Sequence, residues 1–547
     1  MRRAALCALA VLTLATPVAA AQTTAFDALP TGTATTQADP NALVRPTDLD
    51  KAPLGRSLTP QRVLAIARMA PEIAEMLGRH RGYTEEAYQK GASRWQVSYF
   101  DPVRRNEARK EIGQVHIDDA SGNVLEAWTG FQVAWTMARG YPGAFGRAVT
   151  SPWIWIPLSV LFVLPFVNPR RWRSWLHLDL LVLSAFSVSL AFFSASTIGI
   201  SVPLVYPLLI YLLIRMLAVA LRRGPAPPAP LLVPIAWLAI AAVFLIGFRV
   251  GLNATNSNVI DVGYAGVIGA DRLADGEPLY GHFPTDNEHG DTYGPVVYEA
   301  YVPFEQAVAW TGVWDDLPAA HGAAVAFDLL CMLLLFLIGR RVRGPDLGIV
   351  LVYAWAAYPF TLFTANSNAN DALVAALVLL AVLLAGRPAL RGAVAALAGL
   401  SKFAPLALAP VLATHGLRRG RRFRGIVVFG AGFAIAGAIA ALPLARENLS
   451  VFYDRTIGFQ ASRGSPFSVW GLYGWDVAQC VAQGLSVALA VGLAFVKRRQ
   501  DIAGLAAACA AVLIGLQLGV THWFYLYLPW FFGLVMIALL GRERSSA

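Results

Sequence analysis

Charge is scarce in this chain. Asp, Glu, Lys and Arg make up 14% of its 547 residues, against 56% hydrophobic; soluble globular domains carry roughly 25% charged residues, so that class is excluded. Cysteine is scarce too. Of the four, Cys7 lies in an N-terminal apolar stretch, and Cys331, Cys480 and Cys509 lie in later apolar runs. No exported pair exists and no Cys-x-x-Cys occurs, which removes a disulfide framework and a cysteine metal site. Lysine almost vanishes from the interior: between Lys110 and Lys497 only Lys402 remains. The formal net charge of +10 does not imply nucleic acid as a partner. The cations gather in short loops between apolar runs, the pattern of the positive-inside rule.

The chain consists mostly of apolar runs near the ~20 residues that cross a bilayer. The first run differs. Arg2 and Arg3 precede a short apolar stretch, Ala4 to Leu14, followed by small residues to Ala20. This is a signal peptide over 1–21, cut near Ala20 or Ala21. An uncleaved anchor, the alternative, would also export the segment after it. Residues 22–58, rich in Thr, Ala, Pro and Asp, read as a flexible linker. Residues 59–130 read as a folded exported α+β domain. Thr59 and Pro60 open a helix with Val63, Leu64, Ile66, Ala67 and Met69 on its apolar face. The stretches 95–100, 112–117 and 124–128 alternate like strands, with a turn at Asp118 to Asn123. This helix-plus-meander resembles a PepSY domain, which implies an accessory role in binding or regulation.

Candidate spans are 151–167, 178–196, 201–221, 231–249, 319–338, 347–363, 372–386, 424–443, 478–496, 501–519 and 522–540. Residues 391–415 have basic flanks and carry Lys402 and Pro405 near their middle; they read as a pair of short helices, up and back. The fold class is an α-helical polytopic membrane protein of about 13 crossings. The arginines at 170–173, 222–223, 340–343, 387, 418–424, 497–499 and 542 then face the cytoplasm, with the C-terminus. The polar loops, including 250–318, face outward with the exported domain. The protein is expected in a bacterial plasma membrane.

Several residues in the outer loops suit chemistry. An ammonium at membrane depth, as at Lys402, costs several kcal/mol unless paired or hydrated; a lipid phosphate is a natural partner, and snorkelling to the interface is the plainer explanation. Asp261 sits in the apolar patch Val259 to Val262, where partial desolvation raises a carboxyl pKa and suits a general base; a helix cap is the plainer reading. His282, Asp286, Glu288, His289 and Asp291 could hold a metal through oxygen and nitrogen ligands; their spacing matches no strong metal signature, and a solvated loop is the plainer reading. Asn366, Asn368, Asn370 and Asp371 suit sugar hydroxyls or loose backbone groups equally. Arg446, Arg455 and Arg463 stand on the outer face against the charge rule, and Arg suits phosphate. Trp470 in the turn 464–471 suits stacking or the interfacial belt.

In their order and membrane side these pieces resemble the polyprenyl-phosphate-mannose-dependent mannosyltransferases of the GT-C superfamily. The counterparts are Asp261 and Tyr264, Gly276 with Leu279 and Tyr280, Tyr293-Gly294-Pro295, the Asn366 to Asp371 turn, and Lys402 with Pro405. Gly294 stands where that family usually has Pro. The resemblance covers roughly 231–540 and makes 151–221 accessory spans. It implies inverting transfer of a hexose, mannose first, from a polyprenyl-phosphate donor to an extracytoplasmic lipid or glycan acceptor. It implies Asp261 as base and Lys402, Arg463 and Arg455 around the donor phosphate. Tyr264, Tyr280, Tyr293, Asn368, Asn370 and Trp470 would bind substrate. The donor has one phosphate and no nucleotide, so neither a metal nor another cofactor is required. The competing reading is a transporter or flippase of a lipid-linked or anionic substrate, which the lone Lys402 in a broken helix also fits.

Overall fold

The computed structural model describes residues 43–102, 110–140, 144–169, 173–221, 233–416 and 422–541. The signal peptide, most of the linker, and the arginines at 170–171, 222–223, 418–421 and 542 lie outside the described residues. The chain divides into two compact units, Met1–Thr129 and Gly130–Ala547.

In the first unit, Thr59 caps the helix Pro60–Arg68: its side chain accepts from the Arg62 N–H at 3.2 Å. Pro71 opens a second helix, Pro71–Arg79, at the position where a missing N–H costs least. A five-stranded antiparallel meander runs in the order β1 (Leu43–Val44), β2 (Thr84–Lys90), β3 (Arg94–Phe100), β4 (Glu111–Asp118) and β5 (Val124–Thr129). Alternation turns Trp95, Val97 and Tyr99 of β3 and Val115 and Ile117 of β4 toward Val63, Ala67 and Ile73 of the helices. The segment expected as linker enters this fold early. Leu43 and Val44 pair with Lys90 and Gln89. The buried Asp119 carboxylate accepts from the N–H groups of Ser57 (2.7 Å) and Leu58 (3.2 Å) and from the Trp95 indole (2.7 Å). A buried acid needs such donors, and only the stretch before Thr59 supplies two of them.

The second unit is helical. Seven helices are long and apolar enough to cross a membrane: Trp175–Ser194, Ile198–Leu221, Ile235–Thr255, Pro318–Arg343, Phe423–Ala440, Asp476–Phe495 and Ile502–Gly519. An eighth is formed if Pro345–Ala357 and Pro359–Asn366, bent by 61°, count as one; Pro359 lacks the N–H that would continue the ladder. Five shorter apolar helices accompany them: Pro152–Phe166, Asp371–Leu383, Pro388–Ser401, Ala404–Thr414 and Tyr525–Leu540. Among the described residues every expected candidate span is thus helical, but only seven, or eight with the bent pair, have the full crossing length. The shorter ones are interrupted at polar or proline positions, and two of those breaks, at Asp371 and Lys402, build the site.

Intramembrane polar groups face inward and pair. On Ile235–Thr255, Trp237, Ile240, Val243 and Phe244 are exposed, whereas Leu238, Ala242, Leu245, Arg249 and Asn253 are buried. Arg249 forks onto Asp328 at 2.6 and 2.9 Å, and the Trp355 indole donates to the same carboxylate at 2.8 Å. Arg215 and Tyr211 likewise hold Asp179, at 2.9 and 2.8 Å. Unpaired, each acid would pay the cost of a bare charge in hydrocarbon.

The polar stretch within 250–318 is not irregular. It contains two helices, Asp261–Asp275 and Pro295–Glu305, packed through small residues. A methyl at Gly266 or Gly269 would come within 2.6 or 2.1 Å of the Tyr301 and Tyr298 rings. Tyr264, Tyr280, Tyr298 and Tyr301 form an aromatic core with Val267 and Ile268.

Candidate functional site

Two chain breaks meet at the centre. Asp371 is the first residue of Asp371–Leu383 and is 1% exposed. Lys402 ends Pro388–Ser401 with an extended backbone. Its ammonium lies 2.7 Å from Asp371 Oδ1, which also accepts from the Trp530 indole at 2.9 Å. Asp371 Oδ2 is buried and has no partner among the described residues. Around the ammonium stand the rings of Tyr293, Trp530 and Tyr527, at 5.0, 5.5 and 5.9 Å from their centroids. The cation is therefore held by one carboxylate and three π-faces, an environment that replaces much of its hydration.

Tyr293 reaches this position because its neighbour is glycine. The Gly294 N–H donates to the Ser401 carbonyl at 3.1 Å, and a Cβ at 294 would sit 2.0 Å from the Leu400 carbonyl oxygen. The strand-like stretch thus lies flat on the end of the lysine-bearing helix, and the proline of the resembling family would not fit here. A second close approach fixes Asp261. The loop before it pairs with the asparagine turn, Asn258 N–H to the Asn366 carbonyl and Ile260 N–H to the Ser367 carbonyl, at 3.1 and 3.2 Å. A Cβ at Gly263 would sit 2.2 Å from the Asn368 carbonyl oxygen.

Asp261 occupies the first turn of its helix, where the macrodipole favours a carboxylate. Asp261 is exposed to water, while the protein packed around its carboxyl withdraws part of the group's hydration. Burial pushes its carboxyl above the usual range. The Val262 N–H, Arg463 and Lys402 pull it back, and Asp371 adds to the rise. Asp261, Asp371, Lys402 and Arg463 therefore share one electrostatic neighbourhood. Arg463 stacks on Trp135 at 5.1 Å and Phe459 at 5.5 Å. His522 lies 5.9 Å from the Trp135 ring and 3.0 Å, through Nδ1, from Ser465 Oγ. Burial, with Arg463 nearby, pushes His522 down to about 3, so the imidazole is neutral at pH 7.

The other expected residues point elsewhere. Arg455 bonds Asp291 at 2.7 Å and the Glu288 carbonyl at 2.6 Å, tying the segment around 455 to the loop that carries them. The Tyr264 hydroxyl donates to Asp286 at 3.3 Å beneath Trp314, and the Tyr280 hydroxyl donates to the Tyr293 carbonyl at 2.9 Å. Asn368 bonds Ser257, the Asn258 carbonyl and Asn253; Asn370 bonds the Val262 carbonyl at 3.1 Å. The Trp470 indole donates to the Leu518 carbonyl at 2.8 Å. These side chains brace the loops that carry the site. Among the described residues no three His, Cys, Asp or Glu side chains converge as metal ligands. Within the acidic loop, Asp291 turns to Arg455, Asp286 to Tyr264, and His289 stacks on Phe459 at 4.8 Å.

Sequence reasoning missed Asp371 as the partner of Lys402, although an acid directly before an apolar run carries the same signal as the lysine. It also missed Trp135, Tyr527 and Trp530, whose aromatic rings sit in apolar surroundings that give no hint of a cation beside them.

No curated protein matches the chain. The site residues Tyr293, Asp371, Lys402, Arg463, His522 and Trp530 all fall within one family match, which begins downstream of Asp261. Over residues 292–540 the chain matches the model of Glycosyltransferase family 87, a GT-C-type family of membrane glycosyltransferases.

Proposed function

We propose that this protein is an inverting glycosyltransferase that moves a hexose, mannose first, from polyprenyl phosphate to a lipid or glycan hydroxyl on the outer face of a bacterial plasma membrane. The observation that carries this reading is the meeting of a water-accessible carboxyl, Asp261, with two cations, Lys402 and Arg463, inside a chain that matches a membrane glycosyltransferase family. Asp261 takes the proton of the acceptor hydroxyl. The acceptor oxygen attacks the anomeric carbon, and the bond from that carbon to the phosphate oxygen breaks through an oxocarbenium-like transition state. The phosphate departs with the electron pair, and Lys402 and Arg463 hold the charge that develops, a preorganised electrostatic role. Asp371 positions Lys402, and the Tyr293, Tyr527 and Trp530 rings give the sugar faces to lie against. In this topology all 13 apolar helical segments cross or re-enter the membrane, and the PepSY-like exported domain binds or regulates.

The test is transfer of radiolabelled mannose from polyprenyl-phosphate-mannose in membranes expressing the full chain. Asp261→Asn is expected to lose at least ~100-fold, the lower range for a general base, and Lys402→Ala to lose transfer as well. Full activity in a folded Asp261→Asn protein removes the base assignment. Absence of transfer from mannose, glucose and arabinose lipid donors by folded protein favours the transport reading instead.

A further inference from the structure

A second constellation lies at the other end of the same helices. Asp371–Leu383 starts at Asp371 and leads, ~20 Å away along its axis, to Ala385 and Gly386; Pro388–Ser401 starts there and ends beside Lys402. At that far end the described residues enclose a cavity of about 470 Å³, lined by Arg341, Arg391, His415, Gln500 and Asp501 among others. This volume lies within the range of small-ligand sites.

Among the described residues the cavity is cationic without matching acids. Arg391 is 1% exposed. Its terminal nitrogens donate to the Ala385 and His415 carbonyls, and its Nε has no partner. Arg341, exposed on the rim, donates to the Leu383 carbonyl. The one lining carboxylate, Asp501, is engaged by Arg499 and by the Gly504 N–H at 2.8 Å. His415 is buried, its Nδ1 has no partner among the described residues, and burial, with Arg391 and Arg498 adding to it, pushes the imidazole down to about 3. Two helices, Pro388–Ser401 and Ile502–Gly519, also begin at the cavity wall, and helix starts favour anions. A guanidinium buried on two carbonyls and the Phe429 ring, 6.0 Å from its centroid, with no carboxylate beside it among the described residues, keeps most of its desolvation cost; an anion in the cavity would supply the missing charge.

We propose that this cavity binds a phosphate group, carried by an anionic phospholipid headgroup or by a free phosphate, on the face of the membrane opposite the Asp261 site. Its Arg391 and Arg341 hold the phosphate oxygens, and the two helix starts add N–H groups. The inference is independent of the glycosyltransferase reading.

The experiment uses the full chain in detergent carrying Lys402→Met and Asp371→Leu together, which removes the lysine of the other cationic site without leaving a bare buried charge. The midpoint of thermal unfolding is followed with inorganic phosphate, with phosphatidylglycerol and with phosphatidylcholine. Phosphatidylglycerol or phosphate should raise the midpoint and phosphatidylcholine should not; a response to the lipid alone identifies a headgroup, and a response to both identifies a general phosphate site. Arg341→Ala and Arg391→Gln should weaken the effect by roughly tenfold, the scale of one charge-assisted hydrogen bond. If Arg391→Gln does not fold, the exposed Arg341→Ala decides. No protection by either phosphate source, or equal protection in the arginine variants, overturns the proposal.

Discussion

Asp261 and Asp371 are two acids in one neighbourhood, to which the proposed mechanism gives opposite duties. Asp261 meets water and has its carboxyl pushed up by burial, with Arg463 and Lys402 opposing that rise. A base works only when deprotonated, so transfer falls as pH drops through this raised pKa. The acid limb of kcat/KM is therefore expected at higher pH than for an ordinary aspartate. Arg463→Gln removes a charge that holds the pKa down, so the limb should move further up in pH; a pH–rate profile of both proteins checks this, and a downward move contradicts the assignment. Asp371, by contrast, is buried against Lys402. Removing one partner of a buried pair leaves a bare charge and costs about 3–5 kcal/mol, whereas replacing both with apolar residues is far milder. Lys402→Met should therefore destabilise strongly, and the Lys402→Met/Asp371→Leu double variant should recover most of the loss in denaturant unfolding. Transfer activity should not recover in the double variant, because the positive charge is gone.

Elements meet here through backbone rather than side chains. Tyr293 stands beside Lys402 because Gly294 lies against the Leu400 carbonyl. Gly294→Ala is expected to push the two stretches apart, lowering transfer at least ~10-fold, in line with the penalty for small misplacement of a positioned group. Full transfer in this variant would disprove the dependence. Such contacts mark the limit of what the sequence made legible. Apolar runs located every membrane helix, and the lone Lys402 and the acid in an apolar patch drew attention to two of the site's groups, since composition and local environment are written in the chain. The helices Asp261–Asp275 and Pro295–Glu305 were hidden, because glycines and tyrosines at their interface look like loop residues until the rings cover the glycines. Tyr264, Tyr280, Asn368, Asn370 and Trp470 suited a ligand by residue type, but the structure turns their polar atoms onto backbone and neighbouring side chains. Which partner a hydrogen-bonding side chain selects depends on long-range packing and is not encoded locally.

For the whole molecule, the arrangement of charge predicts an orientation. With Asp261 and Lys402 outside, Glu277, 54% exposed by its side chain, should face the exterior, and Asp346, exposed just after the Arg340–Arg343 cluster, the cytoplasm. In a background with Cys331, Cys480 and Cys509 replaced, Glu277→Cys should react with an impermeant thiol reagent in intact cells and Asp346→Cys only after permeabilisation. The opposite pattern would invert the topology. The stacking of Trp135 on Arg463 has a practical consequence for dissecting such a chain. The last strand of the N-terminal sheet ends at Thr129, and the first apolar helix does not begin until Pro152. A truncation trimmed neatly to the apolar helices would discard the indole that steadies this arginine, and would be mistaken for proof that the N-terminal domain is needed for activity. A cut between Thr129 and Gly130 separates the two questions.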